Sequence, residues 1–559
     1  MRAVSPRDAI LILLGAASMH VFSFLFSPAP SSIVVNTHLS SHDILDEPSP
    51  DPTRPRQPSS QTALDTSKHR IPHTALLKHA PGWTIFQDIY MANGTFFVVT
   101  TEPETFPNIA LITSTGLPAF NTPESIAERM PTANEIAFIS PDEARRMWGG
   151  DVARGENDRI YTVEGSTLIL NDPDQCTSNN LSLIPFLAPQ MAAVPPVVPL
   201  GNANTIGTGA SILFIYCLRS IIQSHLCATV LNHYYHFCAE LFYGVWAFWT
   251  GTFSTGLPPF TRAIFPHATA LSWRDSPGMN TYFLRAAFPS MATESQPEWA
   301  DRVAATAATR RRRAWHFPTL LLVDRSASFR GQECGERTQR TAAEAIKGIV
   351  GDGNFLPRGW WEPVRRSVLD FAGISDRVME IGDRAFSRYG RDPDAFGEAG
   401  GVEEVVVTYI TRQGVRRHLV DEDHERLVSS LEELCVRRGW ELNVVPMEKL
   451  SKEEQLSVIA RTTFLVGVHG NGLTHLIMMP VTPISMVVEL FYPGGYAHDY
   501  EWTARSLGMK HFAVWNDTSS TFPDFHYPAY PEGFQGTQIP VYGPHVAKLI
   551  EDRADGLLP

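Results

Sequence analysis

Apolar and polar residues follow a repeating order in the last third of the chain. Five short apolar runs have the length and composition of buried strands: 404–410, 441–447, 463–468, 484–491 and 511–515. The stretches between them have the spacing of amphipathic helices, most clearly at 421–439, and Ser451 with Glu454 predicts a capping box at the start of another helix. Strict alternation of strands and helices predicts a parallel sheet with helices on both faces.

The hydrophobic pattern is less regular before residue 404. Residues 83–100 alternate apolar and polar positions around Asn93-Gly94, which is a strong signal for a β-hairpin. Apolar runs at 211–219 and 317–324 predict two buried strands. Residues 232–249 predict an aromatic helix capped by its first residue. This part therefore also combines strands and helices.

The first 80 residues differ in composition from the rest of the chain. Residues 9–26 form an uncharged apolar run long enough to span a bilayer, and Arg2 and Arg7 precede it. We expect a transmembrane signal anchor with residues 1–8 as a cytoplasmic tail, and a cleaved signal peptide is the alternative. Residues 27–80 are rich in Pro and Ser and predict a disordered stem.

The overall composition narrows the classes of function. With 559 residues and 43% hydrophobic content, the chain is long enough for two or three domains. Its formal net charge of −13 argues against a nucleic-acid partner, because phosphate binding requires clustered cations.

Glycosylation and cysteine patterns indicate a lumenal location. N-glycosylation sequons begin at Asn93, Asn180 and Asn516. The six cysteines include no C-x-x-C pair, so we expect no zinc site, and their even number permits disulfides. Together with the anchor, these features predict a single-pass type II protein of the Golgi or ER membrane.

The stretch 464–480, FLVGVHGNGLTHLIMMP, ends a predicted strand in glycines and a histidine. Ligands of parallel sheets bind beyond the carboxyl ends of the strands. Gly470 and Gly472 allow close backbone approach, and the N–H groups of the following helix favour an anion such as a diphosphate. His469 can donate to the same oxygens, and Asn471 belongs to the same turn. A purely structural turn is the alternative interpretation.

Three further residues follow predicted strands at the same edge of the sheet. Arg412 and Arg417 come after the strand 404–410, and arginine forks suit phosphate oxygens. Glu489 ends the strand 484–491, where a carboxylate commonly accepts the hydroxyls of a ribose. Each could instead be an ordinary surface charge.

A possible catalytic pair lies in the aromatic helix. His236 and Glu240 are four residues apart, so they share one helical face and can form a hydrogen bond. A carboxylate behind an imidazole fixes its tautomer and raises its basicity, which suits a general base. A buried structural histidine is the alternative.

Three motifs occur in order: NHYYHFCAE, TRQGVRRHL and VGVHGNGLTHLIMMP with the later VVELFYP. Together they resemble glycosyltransferase family 61 over roughly residues 231–515, most strongly from residue 405 onward. The resemblance implies a GT-B-like α/β fold, in which two Rossmann-like domains face each other across a cleft. It implies an N-terminal acceptor-side domain at 81–400 and a C-terminal domain at 401–559 that binds a nucleotide sugar.

The resemblance also implies a function. It predicts an inverting transfer of xylose, GlcNAc or arabinose from a UDP-sugar to a glycan or glycoprotein hydroxyl, with no obligatory metal and no other cofactor. The family's His-x-x-x-Asp/Glu pair falls on His236 and Glu240, and its diphosphate contacts fall on the two arginines and the glycine motif. A non-catalytic lumenal protein that binds nucleotide sugars or glycans on the same fold is the alternative.

Overall fold

The computed structural model describes the chain from residue 71 onward, with gaps. The described residues are 71–117, 122–150, 158–171, 231–253, 257–307, 312–330, 340–350, 356, 359–389, 404–524, 526–536 and 538–558. They belong to one compact unit, Thr66–Pro559. None of the helices described there is long and apolar enough to cross a bilayer. Several predicted features lie outside the described residues: the segment 9–26, the strand 211–219, Asn180, Cys176, Cys217, Cys227 and Cys334.

The described residues form fifteen β-strands. They are β1 Ala75–Ala80, β2 Trp83–Ala92, β3 Thr95–Val99, β4 Ile136–Ile139, β5 Ile160–Thr162, β6 Ser166–Leu170, β7 Phe260–Ile264, β8 Ala292–Glu294, β9 Ala314–Val323, β10 Val406–Ile410, β11 Glu441–Val445, β12 Phe464–Val468, β13 Met486–Leu490, β14 Lys510–Trp515 and β15 Thr518–Thr521.

Helices connect most of these strands. The α-helices are Ile109–Ile112, Pro123–Arg129, Pro141–Trp148, Tyr243–Thr252, Met279–Ala287, Gln296–Thr306, Arg325–Ser328, Arg340–Val350, Glu362–Phe371, Asp376–Met379, Ile381–Tyr389, Asp421–Arg438, Lys452–Ile459, Asp499–Leu507 and Gly543–Ala554. The 3-10 helices are Pro103–Thr105, Met447–Lys449 and Asn471–Met478, and Tyr235–Phe242 is a π-helix.

The first sheet is mixed. Its order is β4-β3-β2-β9-β6-β7-β8, with β1 beside β2 and β5 beside β9. β2 runs antiparallel to β1, β3 and β9, whereas β6 is parallel to both β7 and β9. The hairpin predicted around Asn93-Gly94 is confirmed, since both residues have positive φ and connect β2 to β3. The N-terminal half is therefore α/β, although its sheet is not the purely parallel one of a simple Rossmann-like domain.

The second sheet has the alternating architecture that the sequence predicts. Its order is β11-β10-β12-β13-β14-β15, and the first five strands are parallel. Only β15 runs antiparallel to its neighbour. The helix Asp421–Arg438 ends at Gly439 in the left-handed conformation, and the capping box of Ser451 and Glu454 is formed.

Both faces of the second sheet are covered, as its continuous apolar strands require. Successive residues of a strand point to opposite faces, so Leu465 and Val466 belong to different cores. Val466 packs beneath the helices Asp421–Arg438 and Gly543–Ala554. Leu465 belongs to a larger core that continues into the N-terminal half. The two sheets are thus joined by shared apolar packing.

Three details differ from the sequence-based expectations. β1 lies inside the predicted stem 27–80, because Ala75–Ala80 pairs with β2 over the whole length of the strand. The segment after His469 is a 3-10 helix, where the apolar spacing predicts an α-helix. The aromatic helix begins as a π-helix without an Asn cap, and only its second half is α-helical.

Candidate active site

The site begins at the topological switch point of the second sheet. β10 lies between β11 and β12, and all three strands are parallel. The connections after β10 and β12 therefore leave toward different faces, which opens a crevice beyond the ends of the strands. β10 ends at Ile410 and β12 ends at Val468, so Arg412 and His469, which follow these strand ends, lie at the crevice.

The two predicted arginines lie close together and are half-buried, and the Nε atom of each is fully buried. Burial and the nearby charge of Arg412 lower the pKa of Arg417 to about 10. Burial also lowers the pKa of Arg412. Neither guanidinium forms an ion pair with a carboxylate among the described residues. Buried cations are normally paired, so this part of the crevice has the electrostatic character of an anion site.

Gly470 and Gly472 are each required by a different contact of the turn. Gly470 has φ of 153° and ψ of 176°, a conformation that is nearly restricted to glycine. A Cβ atom there would lie 1.6 Å from Nη1 of Arg412, so Gly470 makes room for this guanidinium. A Cβ on Gly472 would lie 3.2 Å from Cγ2 of Ile410, which is a tight packing contact within the core.

His469 is held from behind by a buried carboxylate. Its Nδ1 lies 2.5 Å from Oε1 of Glu489, and Oε2 of the same carboxylate lies 2.7 Å from Nε2 of His511. Glu489 has no exposed surface. Burial would raise the pKa of Glu489, but the hydrogen bonds from the two imidazoles outweigh this effect and hold it below its usual range. Burial and the two arginines lower the pKa of His469.

Glu489 is the last residue but one of β13, close to the predicted end of the strand. Its side chain is fully buried, and both of its oxygens accept hydrogen bonds from histidines. A ribose could not reach a fully buried carboxylate without displacing one of them. The geometry instead makes Glu489 the partner that orients His469.

A second imidazole–carboxylate pair comes from the N-terminal half. Nδ1 of His236 lies 2.7 Å from Oε2 of Glu240 in the π-helix, as the predicted pairing requires. Nη1 of Arg325 lies 2.7 Å from the other oxygen, and Arg325 directly follows β9 and Asp324. Burial would raise the pKa of Glu240, but the charge of Arg325 and the hydrogen bond from His236 hold it lower.

The protonation pattern of this pair follows from its contacts. An ionised carboxylate can only accept hydrogen bonds, so Nδ1 of His236 must donate to Glu240. When the imidazole is neutral, Nε2 carries the lone pair, which is the tautomer that a general base needs. The side chain of His236 is 15% exposed while Glu240 is fully buried, so the imidazole alone of the pair reaches solvent.

The two halves meet at the start of the π-helix. The backbone N–H of Tyr235 donates to Oδ1 of Asn471, 3.2 Å away, so this predicted ligand-binding residue joins the halves of the site. The ring of His233 lies beside that of His236, with ring centroids 4.8 Å apart and an angle of 45° between the planes. Burial lowers the pKa of His233, and the charges of His236, Arg417 and His469 lower it further. The predicted base and the predicted diphosphate contacts therefore surround one site.

Residues 234–484 match the family model described as Glycosyltransferase 61. The chain carries a glycosyltransferase family 61 domain. This family 61 domain includes both sides of the site just described, from the π-helix to the 3-10 helix. Glu489 and His511 follow the matched residues.

Part of the chain is also similar to a curated protein. A segment of 128 residues is 28% identical to the EGF domain-specific O-linked N-acetylglucosamine transferase of Drosophila melanogaster. The match covers 22% of this chain and 23% of that protein, so it spans less than a quarter of the relative's length.

Three residues at the site belong to none of the predicted motifs. Arg325 is one of them, although it directly follows a predicted strand, which is where functional residues of parallel strands lie. His511 faces Glu489 because residues 487 and 489 of β13 point the same way and Val487 lies opposite His511. Tyr500 is the third, and its ring lies 5.8 Å from that of His469.

Proposed function

We propose that this protein is an inverting glycosyltransferase that transfers a sugar from a UDP-sugar to a hydroxyl group of a glycan or glycoprotein. The observation that carries the proposal is the pair of half-buried guanidinium groups of Arg412 and Arg417, which have no carboxylate partner among the described residues. A diphosphate supplies the missing negative charge, and its shape suits two guanidinium forks.

The fold supports the same proposal. The carboxyl end of β9 provides Arg325 from the first sheet, and those of β10 and β12 provide Arg412 and His469 from the second. Two α/β halves with a ligand site between them correspond to a GT-B-like arrangement. In this arrangement the second half binds the donor, and the half that contains His236 binds the acceptor.

In the proposed reaction, Nε2 of His236 removes the proton from an acceptor hydroxyl. The oxygen forms a bond to the anomeric carbon on the side opposite the diphosphate, and the bond from that carbon to the diphosphate breaks. UDP leaves with the electron pair, and the configuration inverts. Glu240 stabilises the imidazolium that forms, while Arg325 keeps Glu240 ionised before the reaction.

Positive charge for the leaving diphosphate comes from Arg412, Arg417 and His469. Cations that are fixed in place before the reaction stabilise developing charge without reorganisation. We therefore propose that transfer does not require a metal ion. We also retain the proposal that residues 9–26 anchor the protein in the Golgi or ER membrane with this domain in the lumen. Asn93 and Asn516 are exposed, as glycosylation in that compartment requires.

The test is a donor panel with matched arginine variants. The full chain, produced in a eukaryotic host, is incubated with UDP-GlcNAc, UDP-xylose and UDP-arabinose, and UDP binding and UDP release are measured with and without EDTA. The name of the Drosophila relative makes UDP-GlcNAc the first donor to examine. EDTA-resistant release with one sugar is expected. Loss of release in EDTA would contradict the metal-independent mechanism.

Arg417→Ala and Arg416→Ala form a matched pair within one loop. Arg416 is exposed and donates to Gln535, whereas Arg417 is half-buried at the site. Losing a charged hydrogen bond costs about 1.5–3 kcal/mol, so Arg417→Ala should weaken UDP binding about 10- to 150-fold. Arg416→Ala should change it by less than about threefold. UDP binding without any transfer would favour the non-catalytic alternative, and no binding of UDP would refute the donor site.

A further inference from the structure

A buried chain of three side chains supports the crevice from the donor side. Glu489 accepts hydrogen bonds from His469 on one oxygen and from His511 on the other, over 2.5 and 2.7 Å. Glu489 is fully buried, His511 is 3% exposed and His469 is 9% exposed. Of the three, His469 is thus the one that a ligand can reach.

The ring orientation of His469 leaves one nitrogen for a ligand. Nδ1 faces Glu489, so Nε2 lies at the opposite edge of the ring. Within the described part of the chain, Nε2 forms no hydrogen bond. Because Nδ1 donates to the carboxylate, a neutral His469 presents a lone pair at Nε2 and cannot donate to a phosphate oxygen. A proton must be added before His469 can act as a donor to an anion.

The charge around Glu489 shows why such a proton would be stable. A buried carboxylate is costly unless a cation compensates it. Glu240 has the permanent charge of Arg325 for this purpose, whereas the hydrogen-bond partners of Glu489 are two imidazoles. In the free protein, Arg412 and Arg417 oppose a further positive charge on His469. A diphosphate between them would remove that opposition.

We propose that Glu489 and His511 are positioning residues which allow His469 to take up one proton at Nε2 when a diphosphate binds. This inference rests on the proposed donor site and adds a proton to its binding equilibrium. The proton comes from the acid form of the buffer, which remains as its conjugate base. The resulting imidazolium donates to the diphosphate through Nε2 and to Glu489 through Nδ1.

The expected pH dependence follows from the direction of the shift. Burial and the arginines place the pKa of free His469 below its ordinary value, and a bound anion within hydrogen-bond distance typically raises a pKa by about 1–3 units. Between the free and bound pKa values, affinity for the diphosphate should increase as pH falls, by up to about tenfold per pH unit. Below both values it should become constant.

Other titratable groups face this chain of residues and must be separated from it. They are Arg412, Arg417, His233, Tyr496, Asp499, Tyr500 and Glu501. Asp499 matters most, because burial and the charges of Glu240 and Glu489 raise its pKa to about 8. This carboxyl is therefore mostly protonated at neutral pH, and it has less capacity than His469 to take up a further proton.

The experiment is isothermal titration calorimetry with UDP at a series of pH values from 5.0 to 8.0, in buffers of different ionisation enthalpy. At the pH where the uptake is largest, which lies between the free and bound pKa values of His469, the full chain should take up at least about 0.5 proton per UDP bound. UDP itself cannot produce this signal, since its terminal phosphate titrates near pH 6 and can only release a proton on binding a cationic site. Glu489→Gln should reduce the uptake to below about 0.2 proton and remove the pH dependence of affinity.

Asp88→Asn is the matched control. Asp88 also pairs with a histidine, His316, over 2.8 Å, but it lies in β2 of the first sheet. This variant should retain the uptake of the unmodified protein. Binding of UDP by the unmodified protein with less than about 0.2 proton taken up would overturn the inference while leaving the proposed donor site intact. Unchanged uptake in Glu489→Gln would overturn it as well.

Two further outcomes remain decisive. If Glu489→Gln does not fold, the uptake of the unmodified protein and its pH dependence still decide the matter. If the unmodified protein binds no UDP at all, the proposed donor site fails and the inference fails with it.

Discussion

Replacing Gly470 with alanine should weaken donor binding by displacing Arg412. The new Cβ would lie 1.6 Å from Nη1 and 2.7 Å from Cζ of this arginine. Both distances are far below a van der Waals contact, so the guanidinium has to move by about 2 Å. It is the flexible end of a long side chain, so it can move away without unfolding its surroundings.

The expected magnitudes for function and for stability are different. Loss of a charged hydrogen bond to the diphosphate corresponds to about 1.5–3 kcal/mol, or about 10- to 150-fold weaker binding of UDP. Gly470 also has φ of 153° and ψ of 176°, a region in which alanine is strained by about 1–3 kcal/mol. The variant should therefore fold with a modestly lower melting temperature and bind UDP poorly.

A double-mutant cycle identifies the cause. UDP affinity is measured by calorimetry for Gly470→Ala, Arg412→Ala and the combined variant. If Gly470 acts by leaving room for Arg412, the combined variant should bind no more weakly than Arg412→Ala. Gly414→Ala is the control, since Gly414 lies in the same loop as Arg412 and a Cβ there meets no atom within 4 Å.

Two results would refute this reasoning. Unchanged UDP affinity in Gly470→Ala would mean that the position of Arg412 does not matter for binding. Additive losses in the combined variant would mean that the backbone at Gly470 contacts the ligand itself, as the sequence motif alone suggests.

The remaining predictions concern the acceptor side and the stability of the second sheet. Glu240→Gln should lower kcat about 10²- to 10⁴-fold through loss of the tautomer of His236 while UDP affinity is retained, and single-turnover kinetics with UDP calorimetry check both. Arg325→Met should leave Glu240 buried without its counter-charge and destabilise the protein by about 3–5 kcal/mol, measured by denaturant unfolding, and a loss below about 1 kcal/mol would contradict this account. Ser451→Ala should cost about 1 kcal/mol by removing the cap that binds the N–H of Glu454, with no change in UDP affinity.

The second sheet could be predicted because its signals are local. Each strand is a short apolar run, each helix has a clear end such as Gly439, and strict alternation allows only a parallel arrangement. The first sheet could not be predicted in the same way. Its central strand β9 pairs with β2 and β6, which lie more than a hundred residues away in the sequence. The pattern within each of these strands predicts that it is a strand, but it does not show which distant strand it pairs with.

The sequence also could not predict the hydrogen-bond pattern of two helices. Asn471–Met478 has an apolar pattern that suits α-helical spacing, yet it is a 3-10 helix. Tyr235–Phe242 is a π-helix although no residue in it breaks a helix. Both segments lie where the two halves of the molecule meet, and Tyr235 is joined there to Asn471. Tertiary contacts, rather than local preference, decide their hydrogen-bond pattern.

The residues of the site were predicted where a motif carries them and missed where distant strands supply them. His236 and Glu240 form the expected pair because their spacing alone brings them together. Arg325 and His511 come from strands whose neighbours were unknown, so nothing in the sequence linked them to a carboxylate. The same reason applies to Glu489. The sequence shows that it lies near the end of a strand, but it does not show that two histidines form hydrogen bonds with its carboxylate.

Two histidine–carboxylate pairs lie at the site, and a further residue contacts the carboxylate of each: Arg325 contacts Glu240, and His511 contacts Glu489. This further residue explains how two similar pairs can have different roles. Glu240 is balanced by the permanent charge of Arg325, so these two residues and a neutral His236 together carry no net charge. In the proposed reaction this group of three becomes positive only when the acceptor proton arrives. Glu489 is hydrogen-bonded by a second imidazole, and we proposed above that its pair with His469 accepts a proton once an anion is bound. In the proposed mechanism the acceptor half thus supplies a base, whereas the donor half gains positive charge when the diphosphate binds. The difference lies in whether the residue behind the carboxylate can lose its charge, and an arginine cannot.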